Sequence, residues 1–277
     1  MNGLPTGFGA NLARRVLTAL ATLPPILAAL FLGPRLLAVG LVACALLLGL
    51  HEFFALLAVR QLKPMRLTGC VLAAAMFLEV VFPGWHKAPI WPLAALLLLS
   101  VTLQRNQSLE DTVPAAAGTL LGAVYMGGLG GTMAALLLFA PQERGAWRVV
   151  LLLAIIMASD TLAFFVGHAV GRHRLAPAVS PGKTIEGAAA GLCGGVLGAL
   201  AVRALGLPEL PPFDAAGLGV LVSLMGIVGD LDESLLKRWA GVKDSGTLFP
   251  GHGGMLDRLD SLLFGAPVLY YYFIYLS

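Results

Sequence analysis

The sequence predicts an all-α, polytopic membrane protein with about nine transmembrane helices, and three observations predict it. Of its 277 residues 58% are apolar and only 12% charged, with a mean hydropathy of +0.87. Soluble domains carry roughly a quarter charged residues, so too little polar surface is present to cover a water-facing sphere. Apolar runs recur at the length of roughly 20 residues that crosses the hydrocarbon core. Lysine and arginine fall mainly on one side of the alternating topology that those runs define.

The first run, 16–32, follows Arg14 and Arg15 as a signal peptide would. It contains Pro24-Pro25, lacks a small-x-small cleavage site before Gly33-Pro34, and is followed at once by a second run, so it reads as a retained first helix. Further spans are expected at 36–58, 68–83, 90–103, 113–140, 148–168, 185–206, 215–236 and 259–276, the fourth span being short and the fifth long. With the N-terminus inside, Arg14, Arg15, Arg60, Lys63, Arg66, Arg105, Arg172, Arg174, Lys183, Lys237, Arg238, Lys243 and Arg258 are cytoplasmic. Only Arg35, Lys87, Arg144, Arg148 and Arg203 face the other side, so thirteen of the 18 lie inside. This bias predicts a multi-pass protein of the cell (inner) membrane, N-terminus in the cytoplasm, with its longest polar connection, about 232–260, on that side too.

The chain reads as one integral membrane domain, 1–277, in which helices of 1–145 serve packing and those of 146–277 carry the polar site. Glycines at helical spacing, such as Gly118, Gly122 and Gly127, then Gly187, Gly191, Gly194 and Gly198, predict close packing inside the bundle. A homodimer face is the alternative use of such stripes. Cys44, Cys70 and Cys193 show no disulfide or zinc spacing and read as small core residues. A net charge of +3 is too weak to suggest nucleic acid. Trp85, Trp91 and Trp147 fall near expected interfaces, where tryptophan anchors helices.

Ionisable groups in membrane spans are costly and usually functional or paired. Here they are Glu52 and Glu79 in the first half, then Asp160, Glu186, Asp230, Asp232, Glu233, Asp257 and Asp260. The second group falls at or near the cytoplasmic ends of the last four helices, beside Lys183, Lys237, Arg238, Lys243 and Arg258. Asp230, Ser234 and Lys237 recur at i, i+4 and i+7 and so share a helix face, as do Asp257 and Asp260 at i, i+3. Taken singly, Asp257 and Asp260 could simply favour a helix N-terminus, and Glu233 with Lys237 could be a plain i, i+4 ion pair. Between the two helix ends, 241–254 holds five glycines among 14 residues, interspersed with Lys243, Asp244, Phe249 and His252. Such a loop lets backbone N–H groups close around an anion. Carboxylates suit Mg²⁺ bridged to substrate phosphates, so this mixture points to phosphoryl or nucleotidyl transfer.

A second cluster, Ser180-Pro181-Gly182-Lys183-Thr184-Ile185-Glu186-Gly187, is expected to open a helix with Ser180 as its cap. A P-loop reading of Gly182-Lys183-Thr184 fails, because Pro177 stands at the first glycine position and no strand is expected before it. An anion site at the helix N-terminus is the remaining reading. His51, His86, His168 and His173 form no metal-ligand spacing.

The string SLLKRWAGVKDSGTLFPGHGGMLDRLD, Ser234 to Asp260, resembles the signature of the phosphatidate cytidylyltransferases, also called CDP-diacylglycerol synthases. Gly229-Asp230, the N-terminal RRVLTAL and the SPGKTIEG segment resemble the same family, so the similarity spans nearly the whole chain. The departure is Gly182, where the family segment carries a basic residue. The resemblance implies that the phosphate of phosphatidic acid attacks the α-phosphorus of CTP, giving CDP-diacylglycerol and pyrophosphate. It also implies Mg²⁺, with room for a second cation, held by Asp230 and Asp257. Lys237, Arg238, Lys243 and Arg258 are then the candidates for phosphate contacts, supported by Asp244, His252 and Asp260. Ser180, Lys183, Thr184, Glu186 and Ser234 are the candidates for substrate binding.

Three other readings compete. A CTP-using kinase of isoprenoid alcohols would release CDP instead of pyrophosphate. An ion-coupled transporter would show midplane acids and an inverted repeat, and neither is visible. A purely structural membrane protein leaves the polar string unexplained.

Overall fold

A computed structural model describes residues 24–84, 89–104, 108–246, 248 and 253–276. Outside the described residues fall 16–23 of the expected span 16–32, together with Arg14, Arg15, Trp85, His86, Lys87, Arg105, Phe249 and His252. Residues 24–31 are helical. Nine helical segments then follow: α1 Arg35–Val59, α2 Arg66–Val81, α3 Trp91–Leu103, α4 Leu109–Ala123, α5 Gly130–Leu138, α6 Gln142–Val170, α7 Ile185–Gly206, α8 Pro212–Ala240 and α9 Leu256–Tyr271. A π-helical stretch, Val124–Leu129, joins α4 to α5 without a break, and another, Tyr272–Leu276, extends α9.

Among the described residues six helices are long and apolar enough to cross a bilayer: Arg35–Val59, Glu110–Leu138, Gln142–Val170, Ile185–Gly206, Pro212–Ala240 and Leu256–Leu276. The expected spans at 68–83 and 90–103 are present as α2 and α3, but with 16 and 13 residues. At 1.5 Å per residue they reach only about 24 and about 20 Å, short of a core about 30 Å thick. Among the described residues the structure therefore supports six of the nine expected crossings, the first expected span lying partly outside them.

Two ends of the bundle are chemically distinct. At one, Arg144 of α6 pairs with Glu209 at 3.4 Å, and Tyr272 Oη donates to Asp214 Oδ2 at 2.5 Å. Arg148 lies 4.3 Å over the Phe273 ring at that same end. These contacts gather the start of α6, the end of α7, the start of α8 and the end of α9, so the four helices run alternately up and down. Their opposite ends, 170–187 and 237–257, must then meet at the other face. The end of α1 joins them there, where Arg60 donates to the Trp239 carbonyl and lies 5.7 Å from its indole.

The glycine stripe of α7 sets its spacing from α6. A β-carbon at Gly194 would lie 2.5 Å from the Ala158 carbonyl oxygen, and one at Gly198 2.7 Å from that of Ala154. The expected intramolecular use of this stripe is what the fold shows. Replacing Gly194 with leucine is expected to cost about 1–3 kcal/mol through overpacking, read as a lowered thermal midpoint in detergent. An unchanged midpoint would contradict the close approach.

Three local expectations are corrected. Ser180–Thr184 is a strand, β2, paired antiparallel with β1, Arg174–Ala176, instead of the first turn of a helix. The cap of α7 is Thr184, whose Oγ1 accepts from Gly187 N at 3.1 Å, since Pro181 and Gly182 favour extended backbone over helix here. Cys44 and Cys193 are exposed on the outside of the bundle instead of in its core; a thiol is apolar enough to face lipid. Trp147 packs against Phe31, ring centroids 5.3 Å apart, and against Gly206, while Trp91 is exposed.

Candidate active site

Helical register brings the polar residues of α8 and α9 to one place. Asp230, Glu233, Ser234 and Lys237 stand at i, i+3, i+4 and i+7, and all four border a cavity of about 390 Å³. Asp257 and Asp260 border it from α9, and Asp160 from α6. Asp232 is absent from that lining, as expected for a residue turned about 200° along the helix from Asp230. Arg238, Lys243, Asp244 and Arg258 complete the wall and are exposed, whereas Glu233 is buried and Asp230, Asp257 and Asp260 are half-buried. Arg238, Lys243 and Arg258 thus give the mouth an excess of positive charge over Asp244, while the other carboxylates lie deeper around Lys237, an arrangement that draws in a polyanion and meets it with acids able to hold a cation.

One lysine organises the floor. Lys237 Nζ is 2.5 Å from Glu233 Oε2 and 2.6 Å from Asp257 Oδ1. The plain i, i+4 pair is therefore present and extends across to the next helix. Asp257 Oδ2 accepts from Ser245 N at 3.0 Å, from Gly254 N at 2.7 Å and from Ser245 Oγ at 2.8 Å. The donors that a carboxylate at a helix start should meet are those of the glycine-rich loop itself.

The second sequence cluster approaches from the side. Lys183 of β2 pairs with Asp230 at 2.6 Å, and Arg238 Nε donates to the Val179 carbonyl at 3.3 Å, so the hairpin is tied to α8. Ser180, Lys183 and Thr184 border a second cavity, of about 350 Å³, that shares Asp160 and Asp230 with the first. Its other walls include Phe164, Leu175 and Ile227. Glu186 lies in neither lining. Its carboxylate accepts from the backbone N–H groups of Arg172 and His173 and pairs with His173 Nδ1 at 2.6 Å, clasping the hairpin. Gly182 borders the second cavity with open space where a side chain would stand.

Whether these residues suit a metal ion can be judged from the donor set. One carboxylate oxygen each from Asp230, Glu233 and Asp260 lies within 4.8 Å of the others. Glu233 Oε1 is buried without a hydrogen-bond partner among the described residues. An orphaned buried carboxylate oxygen is costly, and a hard divalent cation would satisfy it. Carboxylate oxygens are the hard ligands that Mg²⁺ takes, one or two of them together with substrate phosphates, so the residues fit.

Two residues here lay outside the sequence-derived candidates for the site. Glu233 shares the face of Asp230 at i, i+3, a signal already present in the register. Glu52, from the first half of the chain, accepts from Ser245 Oγ at 3.0 Å and from Met255 N and Leu256 N at 3.0 and 2.8 Å. Nothing in local spacing links it to a loop some 200 residues away; only its position as a carboxylate in an apolar span marked it. Glu79 serves elsewhere, accepting from Trp91 N at 3.2 Å at the start of α3.

A sequence profile described as the Cytidylyltransferase family matches residues 13–276. The chain is 34% identical over 263 residues to a phosphatidate cytidylyltransferase of Synechocystis sp., covering 85% of this chain and 87% of that protein. It is 32% identical over 262 residues to a phosphatidate cytidylyltransferase of Staphylococcus aureus, covering 90% and 96%. A phosphatidate cytidylyltransferase of Helicobacter pylori is 46% identical over 127 residues, 45% of this chain and 46% of that protein.

Proposed function

The chain belongs to the Cytidylyltransferase family, and on that premise we propose that it transfers CMP from CTP to phosphatidic acid, giving CDP-diacylglycerol and pyrophosphate. The observation that carries the reading is the single cavity in which Asp230, Glu233 and Asp260 lie beneath an exposed rim of Arg238, Lys243 and Arg258. Nucleotide triphosphates need positive charge around the phosphates and a divalent ion beside the reacting phosphorus.

In the proposed reaction an oxygen of the lipid phosphate forms a bond to the α-phosphorus of CTP while the bond from that phosphorus to the bridging oxygen of the β-phosphate breaks. Pyrophosphate leaves with that electron pair. No covalent intermediate on the protein is required. Arg238, Lys243 and Arg258 balance the triphosphate and its leaving group, and Ser234 and Asp244 orient groups along the same wall. The resemblance gives His252 a supporting role, at a position outside the described residues. Lys237 holds Glu233 and Asp257 at fixed separation, so that the acidic floor is preorganised and loses no energy to rearrangement. Asp230, Glu233 and Asp260 would hold Mg²⁺; Asp257, expected from the resemblance as a ligand beside Asp230, instead gives Oδ1 to Lys237 and Oδ2 to Ser245 and Gly254, and so supports the cluster through Lys237. The ion, when bound, supplies charge neutralisation and Lewis acidity at the α-phosphate.

The lipid phosphate reaches this floor through the second cavity. Ser180, Lys183 and Thr184 supply its polar side and Phe164, Leu175 and Ile227 its apolar side, which suits a headgroup followed by acyl chains. The two cavities meet at Asp160 and Asp230, so each substrate stays in its own solvent until the reacting groups touch. We assign this end to the cytoplasmic face of the cell membrane. Arg60, Lys63, Arg66, Arg172, Arg174, Lys183, Lys237, Arg238, Lys243 and Arg258 belong to it, against Arg35, Arg144, Arg148 and Arg203 at the other end, a segregation that supports the assignment.

Incubating purified protein with labelled CTP and phosphatidic acid is expected to yield pyrophosphate and a CDP-lipid in Mg²⁺, and neither in a chelator. Release of CDP with a doubly phosphorylated lipid would overturn the reading in favour of a kinase.

A further inference from the structure

We infer that Glu52 is a positioning residue of the transfer site, holding the glycine-rich loop and the start of α9 in register with α8; this rests on the cavity being the site of nucleotidyl transfer. Glu52 lies two turns before the end of α1, within a span long and apolar enough to cross a bilayer. A carboxylate there is expensive unless its oxygens are fully used. They are: one accepts from Met255 N and the other from Leu256 N, at 3.0 and 2.8 Å, and Ser245 Oγ, 3.0 Å from the second, shares its one proton between Glu52 and Asp257. Met255 and Leu256 open α9, whose first N–H groups have no partner inside the helix. The acceptor for those orphan donors comes from another helix, and it is charged.

The surrounding sequence is built to this carboxylate. A β-carbon at Gly246 or at Gly254 would collide with the Glu52 carboxyl group, although neither glycine has a positive φ. Both are glycine because Glu52 fills the space a side chain would take. From Glu52 an unbroken chain of polar contacts runs to the carboxylate cluster. Ser245 Oγ touches Glu52 and Asp257, Asp257 pairs with Lys237, and Lys237 pairs with Glu233. A shift of Ser245 or of the α9 start would therefore displace Asp257 and Lys237 directly. Misplacement by about 1 Å from a remote change can lower a rate by about 10²-fold.

The test compares wild type, Glu52→Ala and Glu52→Gln in detergent, by steady-state kinetics with CTP and phosphatidic acid and by amide hydrogen exchange. Glu52→Ala is expected to lower kcat by about 10²-fold, with KM for CTP changed by less than about threefold, because the exposed phosphate-binding bases stay in place. Glu52→Gln retains one acceptor oxygen and is expected to recover part of the loss. It also keeps the side-chain volume, so it carries the test if the alanine variant fails to fold. Exchange at Met255 and Leu256 is expected to speed up by about tenfold or more in the variants, while α6 and α7 keep wild-type protection. Unchanged kcat, or lost kcat with unchanged exchange at those two amides, would overturn the positioning role. A wild-type protein without transfer activity would instead remove the reading of the cavity, and the positioning role with it.

Discussion

Replacing Asp260 with asparagine is expected to lower CTP-dependent transfer by on the order of 10²–10³-fold while leaving the bundle at least as stable as before. Asp260 contributes one of the three carboxylate oxygens that lie within 4.8 Å of one another. Lys183 pairs with Asp230 and Lys237 with Glu233, so Asp260 adds a further negative charge beside two that already have counter-charges, and like charges so close repel. Asparagine keeps the shape and an acceptor for Ser261 N, which Asp260 Oδ1 bonds at 2.7 Å, and removes one charge. The thermal midpoint of the metal-free variant should therefore equal or exceed that of wild type, while the rise on adding Mg²⁺ should shrink. Activity lost together with stability would indicate a merely structural aspartate. Opposed changes in the two quantities are the signature of a site held together for function.

Lys237→Met is expected to destabilise the protein by about 3–5 kcal/mol and to abolish transfer. The ammonium is the counter-charge of Glu233 and Asp257, whose side chains are 1% and 7% exposed, against 14% for Lys237 itself. Methionine matches the length of the stem but leaves two carboxylates facing each other in a poorly solvated floor. Lys237→Arg restores the charge without restoring the geometry, because a planar fork cannot stand between two oxygens at 2.5 and 2.6 Å as a compact ammonium does. Removing Glu233 in the same chain, as Lys237→Met with Glu233→Leu, should return part of the stability and none of the activity. Thermal unfolding in detergent checks the order wild type, double variant, single variant; a single variant that melts with wild type would contradict the assigned bridge. Asp257→Ala is expected to abolish transfer as well, since it frees Lys237, Ser245 and Gly254 at once.

The membrane architecture was legible because solvent writes it directly into composition: six apolar runs become the long helices, and lysine and arginine divide between the two ends. The acidic wall was legible for the same kind of reason, as Asp230, Ser234 and Lys237 share a helical face whatever the tertiary context. What local patterns could not show is contact between distant segments. Glu52 reaches Ser245 and Leu256 across about 200 positions, and no periodicity in α1 announces it. The hairpin 174–184 was missed because Ser-Pro followed three residues later by a polar group resembles a helix start as closely as a strand. Glu233, taken singly, reads as half of a plain ion pair with Lys237; its nearness to Asp230 and Asp260 depends on the packing of α8 against α9, which local spacing does not show.

The central claim is that Asp230, Glu233 and Asp260 hold the divalent ion used in transfer, and Mn²⁺ binding tests it most directly. Electron paramagnetic resonance of Mn²⁺ titrated into detergent-solubilised protein with CTP should show tight binding in wild type. Asp230→Asn and Asp260→Asn should each weaken it by about tenfold or more. Equal Mn²⁺ affinity in wild type and both variants would contradict the account.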